Sequence, residues 1–263
     1  MKIAPPRTSR VLDRMRAGKK ALCYKSNITD PRIADIVGLC GFDALWVCRE
    51  HVPTDCRELE SVIFAGKTHN LDTIVRVPKG CYSDWILPLE ADAAGIMIPH
   101  LMSLEEAKEI VRTVRFQPIG RRPLDGGNAD GQYCMLPCRE YLEFCNRNRL
   151  VIVQIEDPEP LSELDEICQV DGIDMIFFGP GDFSHSIGDA GNFQNPEVKR
   201  VWRLVVETAH KYGKFAGTVS VPSLKECYEA GYDFVNCGAD VAAISSSCGA
   251  IRKMYAEATG EDR

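Results

Sequence analysis

Short runs of β-branched and aromatic residues alternate along this chain with longer segments of helical periodicity. This alternation is typical of βα units built around a parallel sheet. Eight candidate strands can be identified, at residues 21–25, 44–48, 73–77, 95–99, 151–156, 175–178, 215–219 and 234–237. Eight parallel strands fit a closed barrel, so the pattern predicts one α/β domain, a (β/α)8 TIM barrel, spanning residues 1–263.

The length of the chain and its helix signals agree with this architecture. The sequence has 263 residues, and barrels of this kind commonly have about 250. Helices are predicted to begin after Asp30 and after Ser103, which forms a capping box with Glu106. Gly41 and Gly213 stand where two helices should end.

The charge and the hydropathy pattern exclude two classes of partner. Nucleic-acid binding needs a concentrated basic face, and the formal net charge here is −7. No apolar run approaches the ~20 residues that cross a bilayer, and the opening segment MKIAPPRTSRVLDRM lacks the apolar stretch of a secretory signal. We therefore expect a cytoplasmic protein that binds neither nucleic acid nor membrane.

The twelve cysteines do not form the closely spaced pairs of a structural zinc site. Several lie in apparent core segments: Cys23, Cys40, Cys48, Cys168 and Cys237. We expect them to be reduced thiols packed as small hydrophobic residues.

Polar residues follow several of the predicted strands. In a parallel barrel the loops after the strands form one mouth, which is where catalytic groups lie. The polar residues at or just after strand ends are Lys25, Glu50, His51, Arg76, His100, Gln154, Glu156, Asp157 and Asp182. These side chains are the candidates for chemistry.

Gln154 and Glu156 lie two residues apart, so they share one face of their strand, which should line the mouth. The next strand ends in Gly-Pro-Gly, directly before Asp182. Glu156 and Asp182 could then share a cation, and with water and a bidentate ligand they meet the octahedral preference of Mg²⁺ or Mn²⁺. Alternatively, Glu156 makes a structural salt bridge and Asp182 caps the following turn.

Three other residues suggest roles in a reaction on a 2-oxo acid. Arg76 could stabilise an enolate oxygen, or could form an ordinary ion pair at its strand end. His51 suits proton transfer to or from a substrate hydroxyl, although a structural role is the alternative; for His100 the structural role is favoured. Lys25 is the candidate for the competing Schiff-base chemistry, which has no use for the two carboxylates.

Five segments carry a resemblance to a known family: GFDALWVCREHVP, IVRVP, AGIMIPHLMSLEEA, VIVQIE and DMIFFGPGDFSHSIG. In this order and spacing the chain resembles the HpcH/HpaI aldolases, metal-dependent enzymes that act on 4-hydroxy-2-oxo acids within the pyruvate-binding barrel superfamily. The resemblance spans most of the chain. It implies reversible retro-aldol cleavage to pyruvate, or a related 2-oxo acid, and an aldehyde.

The resemblance also implies a role for individual residues. Glu156 and Asp182 would be the metal ligands, with Mg²⁺ or Mn²⁺ as the expected cation and Co²⁺, Ni²⁺ or Zn²⁺ as alternatives. Arg76 would contact pyruvate, and His51 would be the general acid or base. Gln154 is assigned to the substrate pocket. The family generally forms hexamers from dimers that exchange C-terminal helices, which implies a homo-oligomer.

The resemblance implies further roles, and some of them fall on residues that depart from the family pattern. The backbone N–H groups of Gly181 and Asp182 would hold the pyruvate carboxylate, and Glu90 would orient the histidine in place of the usual aspartate. Cys48 stands where many members have an aspartate. The loop at residues 120–133, which in the family helps to shape the aldehyde pocket, lacks the usual GxRG pattern.

Two other functions remain open from the sequence. One is an acyl-CoA lyase similar to the citrate lyase β subunit, although such relatives generally lack the Glu-His pair after the second strand. The other is a protein that binds 2-oxo acids without catalysis.

Overall fold

The computed structural model describes residues 4–261, and it contains a closed barrel of eight parallel strands. Each strand pairs with the next, and the last pairs with the first. The strands are β1 Ala21–Ser26, β2 Ala44–Cys48, β3 Asp72–Arg76, β4 Gly95–Ile98, β5 Leu150–Ile155, β6 Met175–Phe178, β7 Phe215–Val219 and β8 Phe234–Ala239. The predicted (β/α)8 barrel is confirmed, and all eight predicted strands are present.

Three strands end one residue earlier than predicted, before Val77, Pro99 and Glu156. Pro99 has no N–H to donate to a ladder. Glu156 has left the strand, and its carboxylate accepts the backbone N–H of His100. The end of β5 therefore opens directly into the mouth.

The helices surround the barrel and run back from the mouth. They are α1 Arg10–Arg16, α2 Pro31–Leu39, α3 Cys56–Thr68, α4 Tyr82–Glu90, α5 Leu104–Val114, α6 Cys138–Asn148, α7 Leu164–Gln169, α8 Pro180–Ser186, α9 Pro196–Lys211, α10 Leu224–Glu229 and α11 Asp240–Thr259. Helix α2 begins after Asp30, as predicted, because the Asp30 carboxylate accepts the N–H of Arg32.

The predicted helix ends are confirmed, whereas one predicted cap is only half formed. Gly41 and Gly213 follow α2 and α9 with φ of +83° and +68°, which glycine adopts without strain. The Ser103 hydroxyl accepts the N–H of Glu106, at 3.2 Å. The Glu106 carboxylate, however, accepts the N–H of Met102 instead of closing the capping box on Ser103.

Alternate residues of each strand point into the barrel, as the two-residue period of a strand requires. On β2, Trp46 belongs to the apolar interior, whereas Leu45 and Val47 pack against the helices. At the mouth end of the barrel, the side chains that point inward by this alternation are polar. These inward residues are Lys25, Cys48, Arg76 and Gln154. The interior is thus apolar at one end and polar at the other.

The cysteines only partly follow the sequence prediction. Cys23, Cys48 and Cys168 are buried, whereas Cys40 is exposed and Cys237 is half-buried. Cys40 directly follows α2, where the chain turns outward before β2. All twelve are free thiols.

Helix α11 extends away from the barrel. It has 20 residues, and Asp240 at its start is the buried one. Several large apolar side chains along it are exposed: Val241, Ile244, Ile251, Met254 and Tyr255. No helix within the described residues is both long enough and apolar enough to cross a membrane.

The long connection between α5 and α6 lies at the end of the barrel opposite the mouth. Residues 117–137 contain one 3₁₀ turn, Ala129–Gly131, and otherwise lack regular structure. Arg115, just before this connection, bonds to the carbonyl of Arg149, where β5 begins. Within one chain, therefore, the loop lies away from the mouth, and its part in shaping the aldehyde pocket stays a prediction from the family resemblance.

A buried acid–arginine pair holds this loop in place. Arg122 Nη2 lies 2.7 Å from Asp130 Oδ2, and the Tyr141 hydroxyl donates to the same oxygen at 2.9 Å. The Arg122 guanidinium stacks 4.6 Å from the Phe116 ring. Because all of these groups are buried, removing one charge would leave the other without its close partner.

We predict that Asp130→Ala lowers the free energy of unfolding by about 3–5 kcal/mol, because it removes the close partner of the buried Arg122 charge and leaves only the longer contact with Glu90, at 4.0 Å. The matched control is Glu143→Ala, which removes exposed pairs with Arg139 and Arg147 and should leave the free energy of unfolding nearly unchanged. Urea unfolding followed by circular dichroism measures both. Equal losses in the two variants would contradict the assignment.

Candidate active site at the barrel mouth

The cationic side chains of Lys25 and Arg76 both contact the indole of Trp46 at the base of the mouth. The Lys25 Nζ lies 5.0 Å from the centroid of Trp46, and the Arg76 Cζ lies 4.8 Å from it. Arg76 Nη2 also donates to the Cys48 thiol at 3.2 Å. These contacts hold the Arg76 guanidinium in place at the base of the mouth, where Arg76 is 4% exposed.

Glu50 lies among three groups that carry or can carry positive charge. Its carboxylate is 2.9 Å from Arg76 Nε, 3.6 Å from His51 Nε2 and 3.6 Å from His100 Nε2. The Arg76 Nε–H is not directed along the short contact, so Nε and Glu50 Oε2 both remain buried without a hydrogen bond in the described residues. The ion pair considered for Arg76 therefore exists, and it encloses Nε beside Glu50.

Glu156 is a deeply buried carboxylate, 1% exposed. One oxygen accepts the N–H of His100 at 2.9 Å, and the other accepts the amide of Gln154 at 3.0 Å. Burial raises the pKa of Glu156 to about 7; the negative charge of Asp182 also raises it, whereas His100 and Arg76 lower it. Within residues 4–261 its ion-pair partner is the His100 ring, 3.7 Å away. The structural salt bridge considered for Glu156 is therefore present only as this contact with a histidine, and not with a lysine or arginine of the described residues.

Asp182 lies in the first turn of α8, directly after β6. No side-chain hydrogen bond caps this helix, so the alternative role of Asp182 as a cap is not supported. The charge of Asp182 acts on both Glu156 and Lys25, which places the carboxylate over the mouth. Gly181 and Asp182 also carry first-turn N–H groups that have no acceptor within the helix.

A glycine is required where β6 meets α8. A Cβ added at Gly179 would overlap Oε2 of Glu156. The backbone of the turn therefore passes directly over the buried carboxylate. This close approach brings the start of α8, with Asp182, toward Glu156.

The residues present fit a divalent cation. The negative charges of Glu156 and Asp182 repel each other, and a cation bound between the two carboxylates would remove this repulsion. Gln154 Oε1 is buried and has no hydrogen-bond partner in the described residues. Residues 4–261 contain no group of three or more His, Cys, Asp or Glu arranged for a metal, so the protein would supply two carboxylates and leave the other positions to substrate and water.

His100, for which the sequence favours a structural role, lies among the carboxylates of the mouth. Its Nδ1 lies 2.7 Å from Asp157 Oδ2, so its Nε2 faces Glu50 and Glu156. Burial lowers the pKa of His100, but the bond to Asp157 and the nearby carboxylates outweigh it and raise that pKa. A signal was present in the sequence, since His100 and Asp157 follow neighbouring strands directly.

His51 and Glu90 are not brought together within one chain. The His51 side chain is 57% exposed at the mouth and lies 3.6 Å from Glu50. Glu90 ends α4 at the opposite end of the barrel, 4.0 Å from Arg122. Burial raises the pKa of Glu90 there. In a single chain the acid beside His51 is Glu50.

Comparison with known proteins identifies the family of the chain. Residues 21–247 match the family described as HpcH/HpaI aldolase/citrate lyase. A hydroxypyruvate/pyruvate aldolase of Roseobacter denitrificans is 31% identical over 84% of this chain and 87% of its own length. An HpcH/HpaI aldolase from Desulfitobacterium hafniense superposes with a TM-score of 0.89 at 25% identity, covering 96% and 98% of the two chains. The citrate synthase SbnG gives a TM-score of 0.86 at 25% identity, with coverage of 97% and 99%.

We predict that Gly179→Ala weakens Mn²⁺ binding by at least about 10-fold, because the added methyl displaces a carboxylate oxygen whose position sets metal affinity. Calorimetric titration without substrate measures the affinity. Gly181→Ala is the matched control, since a Cβ at Gly181 would meet no atom within 4 Å. Equal Mn²⁺ affinity in the two variants would contradict a cation at Glu156.

Proposed function

The chain belongs to the HpcH/HpaI aldolase/citrate lyase family, and from that premise we propose that it is a divalent-metal-dependent aldolase that cleaves and forms 4-hydroxy-2-oxo acids. The observation that carries the proposal is the buried Glu156 carboxylate beside Asp182, with no lysine or arginine neutralising it in the described residues. The relative from Roseobacter denitrificans is itself named an aldolase of hydroxypyruvate and pyruvate.

Glu156 and Asp182 would hold the cation, with the pyruvate half of the substrate next to it. Mg²⁺ or Mn²⁺ suits two carboxylates with open positions. The bound cation would act as a Lewis acid on the keto group. The free N–H groups of Gly181 and Asp182 would donate hydrogen bonds to the pyruvate carboxylate, and the Gln154 amide would line the same pocket.

Arg76 stabilises the charge that develops during the reaction. When the C3–C4 bond breaks, its electron pair forms the C2–C3 double bond of the enolate, and negative charge moves onto the former keto oxygen. The Arg76 guanidinium, held in place by Trp46 and Cys48, would donate to that oxygen. Because this charge grows toward the transition state, the interaction lowers the barrier more than it stabilises the bound substrate.

His51 moves the proton of the C4 hydroxyl. In cleavage its imidazole removes that proton as the C4–O bond becomes the aldehyde carbonyl. In synthesis C3 of the enolate attacks the aldehyde, and His51 returns the proton to the new alkoxide. Glu50 lies 3.6 Å from His51 Nε2 and is the acid beside the ring within one chain. Glu90 could orient His51 only if it came from another copy of the chain.

We predict that Glu156→Ala and Asp182→Ala abolish the metal-dependent exchange of the pyruvate C3 protons with deuterated water, because each removes one of the two protein ligands. Proton NMR of the pyruvate methyl signal measures the exchange without any aldehyde. Glu159→Ala removes an exposed acid just beyond β5 and is the matched control.

Undiminished exchange in either metal-site variant would reject the assignment. Pyruvate binding without exchange in the unsubstituted protein would favour the noncatalytic alternative. Release of free CoA from an acyl-CoA, in place of aldol chemistry, would favour the acyl-CoA lyase.

The exposed face of α11 supports a further proposal, that the protein is a homo-oligomer whose subunits exchange this helix. Ile244, Ile251 and Tyr255 follow one another at helical spacing on one exposed face. Such a long apolar face without a partner in its own chain is typical of a subunit contact. A hexamer and a cytoplasmic location stay predictions from the sequence.

We predict that the double substitution Ile251→Asp with Met254→Asp reduces the molar mass in solution, because these side chains are 62% and 66% exposed in the single chain and would be buried in a subunit contact. Light scattering after gel filtration measures the mass. Lys253→Glu, on the same helix, changes charge without removing apolar surface. An unchanged mass in the double variant would contradict a contact through α11.

A further inference from the structure

His100 has a backbone conformation that residues with a side chain rarely adopt. Its φ is +49°, in the left-handed region, where a Cβ crowds the following carbonyl oxygen. Histidine enters this region more often than most residues, but the conformation still costs free energy. The other non-glycine residues with a positive φ in the described part of the chain lie at the opposite end of the barrel: Asn70, Asp92, Gln132, Tyr133 and Cys134.

The left-handed conformation directs the backbone N–H of His100 toward the carboxylate of Glu156. This N–H donates to Glu156 Oε1 at 2.9 Å. The next N–H, of Leu101, donates to the carbonyl of Gln154 on β5 at 3.2 Å. Because φ sets the direction of an N–H relative to the chain that follows it, a negative φ at His100 would turn its N–H away from Glu156 while Leu101 stays on β5.

Two further contacts hold His100 in this conformation. The ring Nδ1 lies 2.7 Å from Asp157 Oδ2, and the backbone carbonyl accepts a hydrogen bond from the Lys79 ammonium. Lys79 is itself held by Glu106, 2.9 Å from its Nζ. The Glu106 carboxylate therefore bonds to Lys79 and to the N–H of Met102, which explains why it does not close the capping box of α5.

The hydrogen bond from His100 fixes the Glu156 carboxylate without blocking a cation. The two oxygens of Glu156 each accept one hydrogen bond, from the N–H of His100 and from the amide of Gln154. A carboxylate has about four lone-pair sites, so each oxygen keeps one for a metal. Hydrogen bonds of this kind orient the ligands of a metal and strengthen its binding.

On the basis of the proposed function, we propose that His100 is a positioning residue of the metal site: its left-handed backbone, held by Asp157 and Lys79, directs an N–H at Glu156 and thereby sets the affinity for the divalent cation. The backbone carries this role, and the imidazole contributes by holding the conformation. Glycine, which adopts a positive φ without strain, can then replace His100. Valine cannot, because a β-branched residue is excluded from this region.

The test compares the Mn²⁺ affinities of His100→Gly and His100→Val, measured by calorimetric titration without substrate. Both variants lack the imidazole, and they differ in the backbone conformation that they allow. We expect His100→Val to bind Mn²⁺ about 10–100-fold more weakly than the unsubstituted protein. His100→Gly should stay within about 5-fold of it, the loss reflecting the greater freedom of glycine. Circular dichroism checks that both variants are folded.

Lys79→Met tests the same role from outside the site and decides the question if His100→Val does not fold. Removing a positive charge close to the site would by itself strengthen cation binding. The proposal predicts the opposite, an Mn²⁺ affinity at least about 3-fold weaker, because the carbonyl of His100 is released. Lys108→Met, on the exposed face of α5, removes a positive charge outside the mouth and should leave the affinity unchanged.

Three results would overturn the proposal: equal Mn²⁺ affinities in folded His100→Gly and His100→Val, a greater loss in His100→Gly, or tighter binding in Lys79→Met. A greater loss in the glycine variant would assign the imidazole, and not the backbone, to the cation. Failure of the proposed function is recognised separately, because the unsubstituted protein would then bind no Mn²⁺ or would not exchange the pyruvate C3 protons.

Discussion

The Glu156 carboxylate is buried where β5 ends, held by the N–H of His100 and the amide of Gln154, and covered by the backbone of Gly179. Burial alone makes the charged form of this group unfavourable, and Asp182 adds a second negative charge. The charged form of Glu156 is therefore unfavourable in the mouth, and a cation between the two acids would stabilise it. The conformation of the turn after β6 follows from the same contact, since any side chain at Gly179 would push the carboxylate away.

The rest of the mouth is arranged around this acid in two halves. On the side of β5 and β6 lie the two carboxylates and the first-turn N–H groups of α8, which suit a 2-oxo acid and a metal. On the side of β1 and β2 lie Lys25 and His51, and His51 is the residue proposed to move the proton of the C4 hydroxyl. Arg76, fixed on Trp46 and paired with Glu50, lies on β3 between them. The division follows from strand order, because neighbouring strands must present neighbouring groups.

Much of this arrangement could be predicted from the sequence, and the reasons are local. The strands at residues 44–48, 175–178 and 215–219 were predicted to the residue, because each is a short apolar run with clear boundaries. Glu156 was predicted to face the mouth from its two-residue spacing to Gln154, which depends only on strand geometry. The family resemblance was confirmed by comparison.

Contacts between side chains of different strands could not be predicted from the sequence. The pairing of Glu50 with Arg76 depends on the register of β2 against β3, and the His100–Asp157 contact depends on how two loops turn. The separation of Glu90 from His51 was open to prediction, because the end of a helix that precedes a strand must lie away from the mouth. The loop at residues 120–133 is placed at that far end for the same reason.

The central claim is that Glu156 and Asp182 share a cation to which a 2-oxo acid binds. The most direct measurement is anomalous diffraction at the manganese edge from crystals grown with Mn²⁺ and pyruvate. The account predicts one peak between the two carboxylates, with a metal–oxygen distance of about 2.1–2.2 Å to each and pyruvate on the open side toward Arg76. A peak elsewhere, or pyruvate bound with no metal between the two acids, would contradict it.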